Sequence, residues 1–197
     1  MKLGFLEYTN AAKSTPSPAF EGLCAALRNV GPLRQISRAI LLVILTLNSA
    51  TMQAAHADGF RRGTAAYSMG DYVRAVKELS PLAQRGDGKA LALLGFMYEH
   101  GFGAPRAYDV AADLYARSAA RGNPMAQSLL GLMYDKGHGV PQNVVLAYMW
   151  LNLAAARGSK HERLVYSRLR DAVSSKMTSV QIIEGQRLAL TWAPGRW

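Results

Sequence analysis

Apolar residues along the middle of the chain recur at steps of three and four, which is the spacing that places side chains on one face of an α-helix. In the stretch 126–135 they are Ala126, Leu129, Leu130, Met133 and Tyr134. Gly137 follows this stretch, and a glycine there predicts the end of the helix because it adopts the left-handed C-cap conformation at little cost. The pattern therefore predicts a first helix that ends beside Gly137.

A second helix is predicted after a short turn. Gly139 allows the chain to turn, and Pro141 is suited to the first turn of the next helix, where its missing N–H is not needed. This helix is expected to run to about Arg157, with Gly158 as its stop. Its inward side chains are predicted to be Ala147, Trp150, Leu151, Ala154 and Ala155.

Two glycines fall inside predicted helices. Gly131 lies within the first helix of this pair, and Gly95 lies at the same place in an earlier stretch with the same pattern. A glycine inside a helix is about 1 kcal/mol less favourable than alanine. We therefore expect both glycines to lie where the two helices of a pair approach too closely for a β-carbon.

The pattern occurs twice, at an offset of 36 residues. Residues 90–122 and 126–158 align without a gap, and 14 of the 33 aligned positions are identical. Each unit is predicted to be an antiparallel helical hairpin. A single hairpin cannot bury its apolar face, so we expect stacked neighbours to bury it and to form a solenoid.

The repeated residues resemble the Sel1-like repeat, a relative of the tetratricopeptide repeat. The pattern is A-x-x-x-L-G-x-x-Y-x-x-G-x-G-x-P, followed by a helix that ends A-A-x-x-G. In the second copy its residues are Ala126, Leu130, Gly131, Tyr134, Gly137, Gly139, Pro141, Ala154, Ala155 and Gly158. Across both copies the residues assigned a structural role are Gly95, Tyr98, Gly101, Gly103, Gly131, Tyr134, Gly137 and Gly139. The resemblance implies an all-α fold, a short right-handed α-solenoid of stacked antiparallel helix hairpins with C-terminal capping helices.

Weaker helical patterns flank the two repeats. Residues 63–87 contain G-D-Y-x-x-A, which resembles the turn of a tetratricopeptide repeat and predicts a first hairpin. Downstream, a helix over residues 161–174 is predicted to share one apolar face among Leu164, Val165, Leu169, Ala172 and Val173. Thr178 and Gln181 then have the spacing of a capping box. The predicted segments are a signal region (1–57), a degenerate first hairpin (58–86), two repeats (87–122 and 123–158), and capping helices with a tail (159–197).

The N-terminal region has the features of a secretory signal. Arg34 and Arg38 precede an apolar run at 39–47, which is too short for a membrane span of roughly 20 residues. Small residues follow, and 55–57 read A-H-A, so cleavage is expected before Asp58. A periplasmic or secreted bacterial protein is therefore predicted. The alternatives are an uncleaved anchor at 39–47, which would be the molecule's only contact with the membrane, and a buried helix. The part before the apolar run is long for a signal, which also allows a later start of translation, near Val30 or Leu33.

Charge and cysteine content narrow the classes of partner. The chain has 23 basic and 13 acidic residues, a net charge of +10, but the excess is scattered. Its densest groups are Arg61–Arg62 and the stretch 160–170, where Glu162 interrupts the basic residues. Nucleic-acid binding needs a clustered basic face, so no nucleic-acid partner is expected. Cys24 is the single cysteine, and no Cys/His spacing suggests zinc, so we expect no metal and no cofactor.

The stretch Y-D-K-G-H-G-V-P contains His138, the strongest candidate for a catalytic or ion-binding side chain. His138 lies between two glycines, but the first copy has Phe102 at the same position, so a turn is favoured over a ligand or base. His100 ends a helix, where the dipole favours a cation. Glu99 and Asp135 are a pair of carboxylates at equivalent positions, which the repeat explains without acid–base catalysis. No catalytic residue is predicted, and the protein is expected not to be an enzyme.

The resemblance implies a binding function, since Sel1-like proteins act as adaptors that hold proteins or peptides along a concave face. If the tetratricopeptide alignment holds, that face takes variable positions of each first helix. In the first copy these are Lys89, Ala92, Phe96, Glu99 and His100, and in the second they are Met125, Ser128, Leu132, Asp135 and Lys136. Phe96 and Leu132 are the expected anchors, because interface hot spots favour large apolar and aromatic side chains.

Two other functions remain open from the sequence. Some secreted relatives are linked to β-lactam or cell-wall binding, which would make the protein an envelope enzyme, but those relatives carry a disulfide in each repeat. The basic composition also allows docking on an acidic envelope polymer, for which strong salt dependence would be diagnostic.

Overall fold

A computed structural model describes residues 57–195, and all of them belong to one compact unit. Within this range the regular structure is entirely helical, which confirms the all-α prediction. The eight helices are α1 (57–68), α2 (Tyr72–Gln84), α3 (Gly88–His100), α4 (Tyr108–Ala119), α5 (Pro124–Lys136), α6 (Val144–Arg157), α7 (Lys160–Ser174) and α8 (Ser179–Thr191).

The helices pair into hairpins that stack in chain order. Helix α3 packs against α4 and α5 against α6, as the sequence predicts for the two repeats. Between hairpins, α2 packs on α3 and α4 packs on α5, so each second helix is shared between its own hairpin and the following one. This alternation produces an α-solenoid, in which apolar faces are buried between neighbours.

The second helices of all three hairpins bury the same positions. Four positions are buried in each of these helices, and the equivalent residues are 36 apart in the chain. The four sets are Ala75, Ala111 and Ala147; Leu79, Tyr115 and Leu151; Leu82, Ser118 and Ala154; and Ala83, Ala119 and Ala155. The first hairpin, which the sequence marks only weakly, therefore follows the same spacing as the other two.

A close approach between paired helices occurs at one glycine in each hairpin. A β-carbon on Gly95 would lie 2.7 Å from the Tyr115 ring, and one on Gly131 would lie 2.9 Å from Leu151 Cγ. Both predicted contacts are confirmed. Gly63 makes the same approach to Leu79 in the first hairpin, at 2.7 Å, and this third contact was not predicted.

The start of α6 differs from the sequence prediction. Pro141 is not in the first turn of the helix, which begins at Val144 and is capped by Asn143. The N–H of Asn143 donates to the carbonyl of Tyr134 at 2.9 Å, which keeps the preceding residues in the connecting loop. The proline that does occupy a helix start is Pro124 of α5, beside the N-cap Asn123.

Two further helices close the C-terminal end. Helices α7 and α8 both pack on α6, and each begins with a capping box, at Ser159–Glu162 and at Thr178–Gln181. The second of these boxes was predicted. Trp192, which follows α8, packs edge-on against Trp150 at 6.0 Å between ring centroids.

The predicted apolar face of α7 is wrong in part. Leu164, Val165 and Ala172 are exposed, whereas Tyr166 and Val173 are buried. The helix is rotated because Tyr166 packs into the cluster of Ala154 and Ala155. Gly158 leaves room for this ring, since a β-carbon there would lie 3.0 Å from it.

The predicted signal region, 1–57, lies outside the described residues except for its last position. Among the helices within 57–195, none is both long and apolar enough to cross a bilayer.

Candidate partner-binding surface

Five aromatic rings form a continuous group at the surface, and they come from the helices α1, α2 and α3 and from the loop between α3 and α4. We call it the aromatic patch, and its residues are Tyr67, Tyr72, Phe96, His100 and Phe102. The Phe96 and His100 rings are stacked at 4.1 Å between centroids, and Phe102 stacks on Tyr72 at 4.7 Å. His100 is exposed and the other four rings are half-buried, so the group is closely packed and partly accessible to solvent.

The G-x-G loop positions the patch by docking on the preceding hairpin. Gly103 has φ 73° and lies against the start of α2. A β-carbon there would collide with the Tyr72 carbonyl group and lie 2.8 Å from the Val73 nitrogen. Glycine is therefore required both by backbone conformation and by space. Its docking places the neighbouring Phe102 ring on Tyr72.

The next G-x-G loop repeats this arrangement 36 residues later. Gly139 has φ 68° and lies against the start of α4, where a β-carbon would be 2.7 Å from the Asp109 nitrogen. His138 places its ring 4.8 Å from that of Tyr108. Its position is thus equivalent to that of Phe102, and the structure assigns His138 a packing role between hairpins.

The predicted contact residues of α3 separate into three groups. Lys89 and His100 are exposed, and Phe96 and Glu99 are half-buried. Ala92 is buried, so its assignment to a binding surface is wrong. It faces inward because it packs in the core that α3 shares with α4 and α5. Phe96 and His100 belong to the aromatic patch, whose other three members sequence reasoning missed.

The predicted residues of α5 do not form a comparable group. Met125 and Lys136 are exposed, and Leu132 is half-buried. Asp135 is engaged by Lys176, whose Nζ lies 2.9 Å from both carboxylate oxygens. Ser128 is buried and was wrongly assigned to the surface; its hydroxyl donates to the Met125 carbonyl at 2.8 Å.

The carboxylate of Glu99 has a structural partner. The hydroxyl of Tyr115 donates to Glu99 Oε2 at 2.8 Å. Burial, followed by the negative charge of Glu99, raises the pKa of the Tyr115 phenol well above its ordinary value. The phenol therefore stays protonated and acts as a donor. Because the equivalent of Tyr115 in the next repeat is Leu151, the Glu99 contact is not repeated at Asp135.

A small cavity of about 210 Å³, open to solvent, is lined by residues of α2, α3 and α4. Its polar lining includes Asp113 and Arg117, and Arg117 also donates to the Ala83 carbonyl at 3.2 Å. Pockets for drug-sized ligands usually measure about 300–1,000 Å³, so this cavity is below that range. Within residues 57–195, no group of three or more His, Cys, Asp or Glu side chains is arranged to hold a metal ion.

Comparison with known protein families gives the bounds of the two repeats. The sequence pattern described as the Sel1 repeat matches residues 88–123 and 124–159, each one residue beyond the boundaries expected from the sequence. No curated protein matches the chain.

Two solved structures share the fold. One is c5321, a protective antigen of uropathogenic Escherichia coli strains that displays an SLR fold, with a TM-score of 0.66, 22% identity and coverage of 74% of this chain. The other is a Sel1 repeat protein from Oxalobacter formigenes, with a TM-score of 0.53, 24% identity and coverage of 70%. The alignments span 31% of the first of these chains and 57% of the second. The chain thus contains two Sel1 repeats, at residues 88–123 and 124–159, within a helical solenoid that resembles those of both solved structures.

Proposed function

We propose that the protein is a non-enzymatic interaction module that binds a partner protein or peptide at the aromatic patch. Sel1 repeats commonly form protein–protein interaction modules. The observation that carries the proposal for this chain is the accessible stacking of Phe96 and His100 beside Phe102. Aromatic side chains are enriched at the energetic centres of protein interfaces, and rings that are already packed lose little entropy on binding.

The patch suits a partner segment with an exposed apolar or aromatic side chain. Its rings come from α1, α2, α3 and the α3–α4 loop, so a single bound side chain could contact several elements at once. Glu99, next to the patch in sequence, keeps a carboxylate whose oxygen accepts from Tyr115. The half-buried Glu99 is thus a polar group next to His100, and interfaces usually combine an apolar centre with polar groups at the rim.

A capture experiment with matched variants tests the site. Purified full chain should retain one protein from a bacterial envelope fraction, and retention should be lost in His100→Ala and Phe96→Ala. Lys160→Ala, an exposed change at the start of α7, should retain it. With the captured protein purified, we expect its affinity to fall at least about tenfold in both patch variants. Equal affinity for wild type and both patch variants would refute the site.

Circular dichroism separates loss of binding from loss of fold. His100 is exposed, so His100→Ala should leave the helical signal and the urea midpoint close to those of wild type. The proposed role is binding without catalysis. Turnover of nitrocefin or of muropeptides by the purified protein, at a rate above that of buffer, would contradict it.

We also propose that the protein is exported and cleaved before Asp58. The support is the sequence pattern of Arg34, Arg38, the apolar run at 39–47 and the small residues at 55–57. N-terminal sequencing of the protein recovered from the periplasm should begin at Asp58. Recovery in the cytoplasm, with the N-terminal region intact, would refute export.

A further inference from the structure

The outer face of the last helix, α8, is apolar and exposed. Val180, Ile183 and Leu190 have 76%, 64% and 86% of their surface accessible. The opposite face holds the helix in place, since Gly185 lies against Tyr148, where a β-carbon would be 2.8 Å from the ring, and Ala189 is buried. The orientation of the exposed face is therefore fixed by packing on α6.

The exposed apolar residues of α8 are aligned along the helix. Val180, Ile183, Arg187 and Leu190 follow one another at steps of three, four and three, the spacing of a seam between two packed helices.

The charged residues on this face form a self-complementary pair. Glu184 and Arg187 are joined by two hydrogen bonds of 2.7 Å, and their side chains are 43% and 60% exposed. The order of the seam is also nearly symmetric about Gly185, because Val180 and Leu190 lie five residues to either side of it. A surface that is complementary to itself about a central point is what a two-fold interface requires.

We propose that the exposed face of α8 binds the same face of a second copy of this chain, antiparallel, about a two-fold axis that crosses this face at the level of Gly185. In this arrangement Val180 faces the partner's Leu190, and Ile183 packs on the aliphatic stem of the partner's Arg187. The guanidinium of each Arg187 then reaches the partner's Glu184 in exchange for the one on its own helix. A contact between single helices is at the small end of interfaces, so we expect a dimer that dissociates in roughly the micromolar range.

Sedimentation equilibrium of the full chain measures this association. Wild type should reach the mass of a dimer as its concentration is raised to about 100 µM, which is well above a micromolar dissociation constant. Ile183→Asp should remain monomeric over the same range. Leu164→Asp is the matched control, since Leu164 is exposed to a similar degree on α7, and it should dimerise as wild type does. A wild-type monomer at the highest concentration, or an Ile183→Asp dimer, would overturn the proposal.

Charge exchange between copies identifies the pairing. Glu184→Arg places only positive charges on the seam, and Arg187→Glu places only negative charges, so each variant alone should be monomeric. An equimolar mixture should form a heterodimer, because each positive residue then meets a negative one on the partner. An ion pair confined to one chain does not predict this rescue, so a mixture that stays monomeric would refute the antiparallel arrangement.

Two other binding partners of the exposed face of α8 would give different sedimentation results. If α8 packs instead on a segment from within residues 1–56 of its own chain, wild type is monomeric at every concentration. If α8 binds lipid, wild type is monomeric in solution and sediments with phosphatidylglycerol vesicles, and Ile183→Asp does not. Either result overturns the dimer. Capture of a partner at the aromatic patch is measured separately, so the two proposals can fail independently.

Discussion

The ring of His138 packs on the ring of Tyr108, with centroids 4.8 Å apart, and so joins the loop of one hairpin to the first residue of a helix in the preceding one. The same contact occurs 36 residues earlier between Phe102 and Tyr72. A histidine between two glycines therefore serves here to pack hairpins together.

We expect His138→Phe to retain the fold and its stability, because phenylalanine already occupies this position in the other repeat. His138→Ala should lower the free energy of unfolding by about 1 kcal/mol, the usual value of a ring–ring contact. Urea unfolding followed by circular dichroism measures both changes. A loss of partner capture in His138→Phe, with the fold intact, would show that the imidazole has a chemical role and would contradict the packing assignment.

Gly131→Ala should destabilise the protein. The new β-carbon would lie 2.9 Å from Leu151 Cγ and 3.1 Å from the Ala147 carbonyl oxygen. Overpacking typically costs about 1–3 kcal/mol, which exceeds the gain of about 1 kcal/mol from replacing a helical glycine. Gly88→Ala is the matched control, since its β-carbon would be 3.8 Å from Ser118 Oγ, and it should leave the urea midpoint unchanged or higher. Equal midpoints for the two variants would remove the close-contact explanation.

Tyr115→Phe tests the hydrogen bond to Glu99. At neutral pH we expect a loss of about 1–3 kcal/mol, because the buried hydroxyl donates to a charged group. The pKa of Tyr115 is raised in the folded protein, so its contribution is fully present below the unfolded pKa of about 10 and declines as the pH rises above it. For one such group, the free energy of unfolding falls by about 1.4 kcal/mol per pH unit between the unfolded and the folded pKa.

The difference in stability between wild type and Tyr115→Phe should therefore shrink above pH about 10. Urea midpoints measured from neutral pH to pH about 11 for both proteins give this difference. A difference that stays constant over that range would mean that Tyr115 ionises as readily in the folded protein as in the unfolded chain.

Ser159→Ala should weaken the start of α7. The Ser159 hydroxyl accepts from the Glu162 N–H at 3.4 Å, and Glu162 Oε2 accepts from the Ser159 N–H at 2.9 Å. Loss of such a cap costs about 1 kcal/mol, seen as a lower urea midpoint. Ser179→Ala, at the first residue of α8, leaves both capping boxes in place and should change stability by less than about 0.5 kcal/mol.

The contribution of Glu162 to the stability of this capping box should depend on pH. Hydrogen bonds from Ser159 hold the pKa of the Glu162 carboxyl below its ordinary value. Its contribution is thus present above the unfolded pKa of about 4.3 and is lost as the pH falls through the lower folded pKa. In Glu162→Gln, the acid branch of the stability curve should be correspondingly flatter. An unchanged acid branch would indicate that the carboxylate is not engaged in solution.

The fold was largely predictable because two physical signals coincide in the sequence. The spacing of apolar residues gives the buried face of each helix, and Gly95 and Gly131 mark where paired helices touch. The prediction was wrong where a local signal was overridden by a neighbour. Val165 is exposed because Tyr166 is drawn towards Gly158, and Pro141 lies outside α6 because the Asn143 N–H is bound to Tyr134.

The aromatic patch was only half predictable. Phe96 and His100 are four residues apart on one helix, so helical spacing alone brings their rings together. Tyr67, Tyr72 and Phe102 reach them through the stacking of hairpins and the docking of the G-x-G loop, which depend on contacts distant in sequence. The 36-residue offset that relates Phe102 to His138 and Tyr72 to Tyr108 could have pointed to this docking.

Because each G-x-G loop rests on the helix start of the hairpin before it, the array has a direction. Tyr72 and Tyr108 are each covered by the G-x-G loop of the following hairpin. Val144 is their counterpart in the last hairpin, and it lies in a cluster that includes Met177 from the α7–α8 connection. Duplicating residues 124–159 in tandem would thus place the His138 of the added copy against Val144, whereas His138 in the natural chain packs on Tyr108. Deleting the residues after Gly158 would remove α7 and α8, which both pack on α6, and would expose the apolar face of α6.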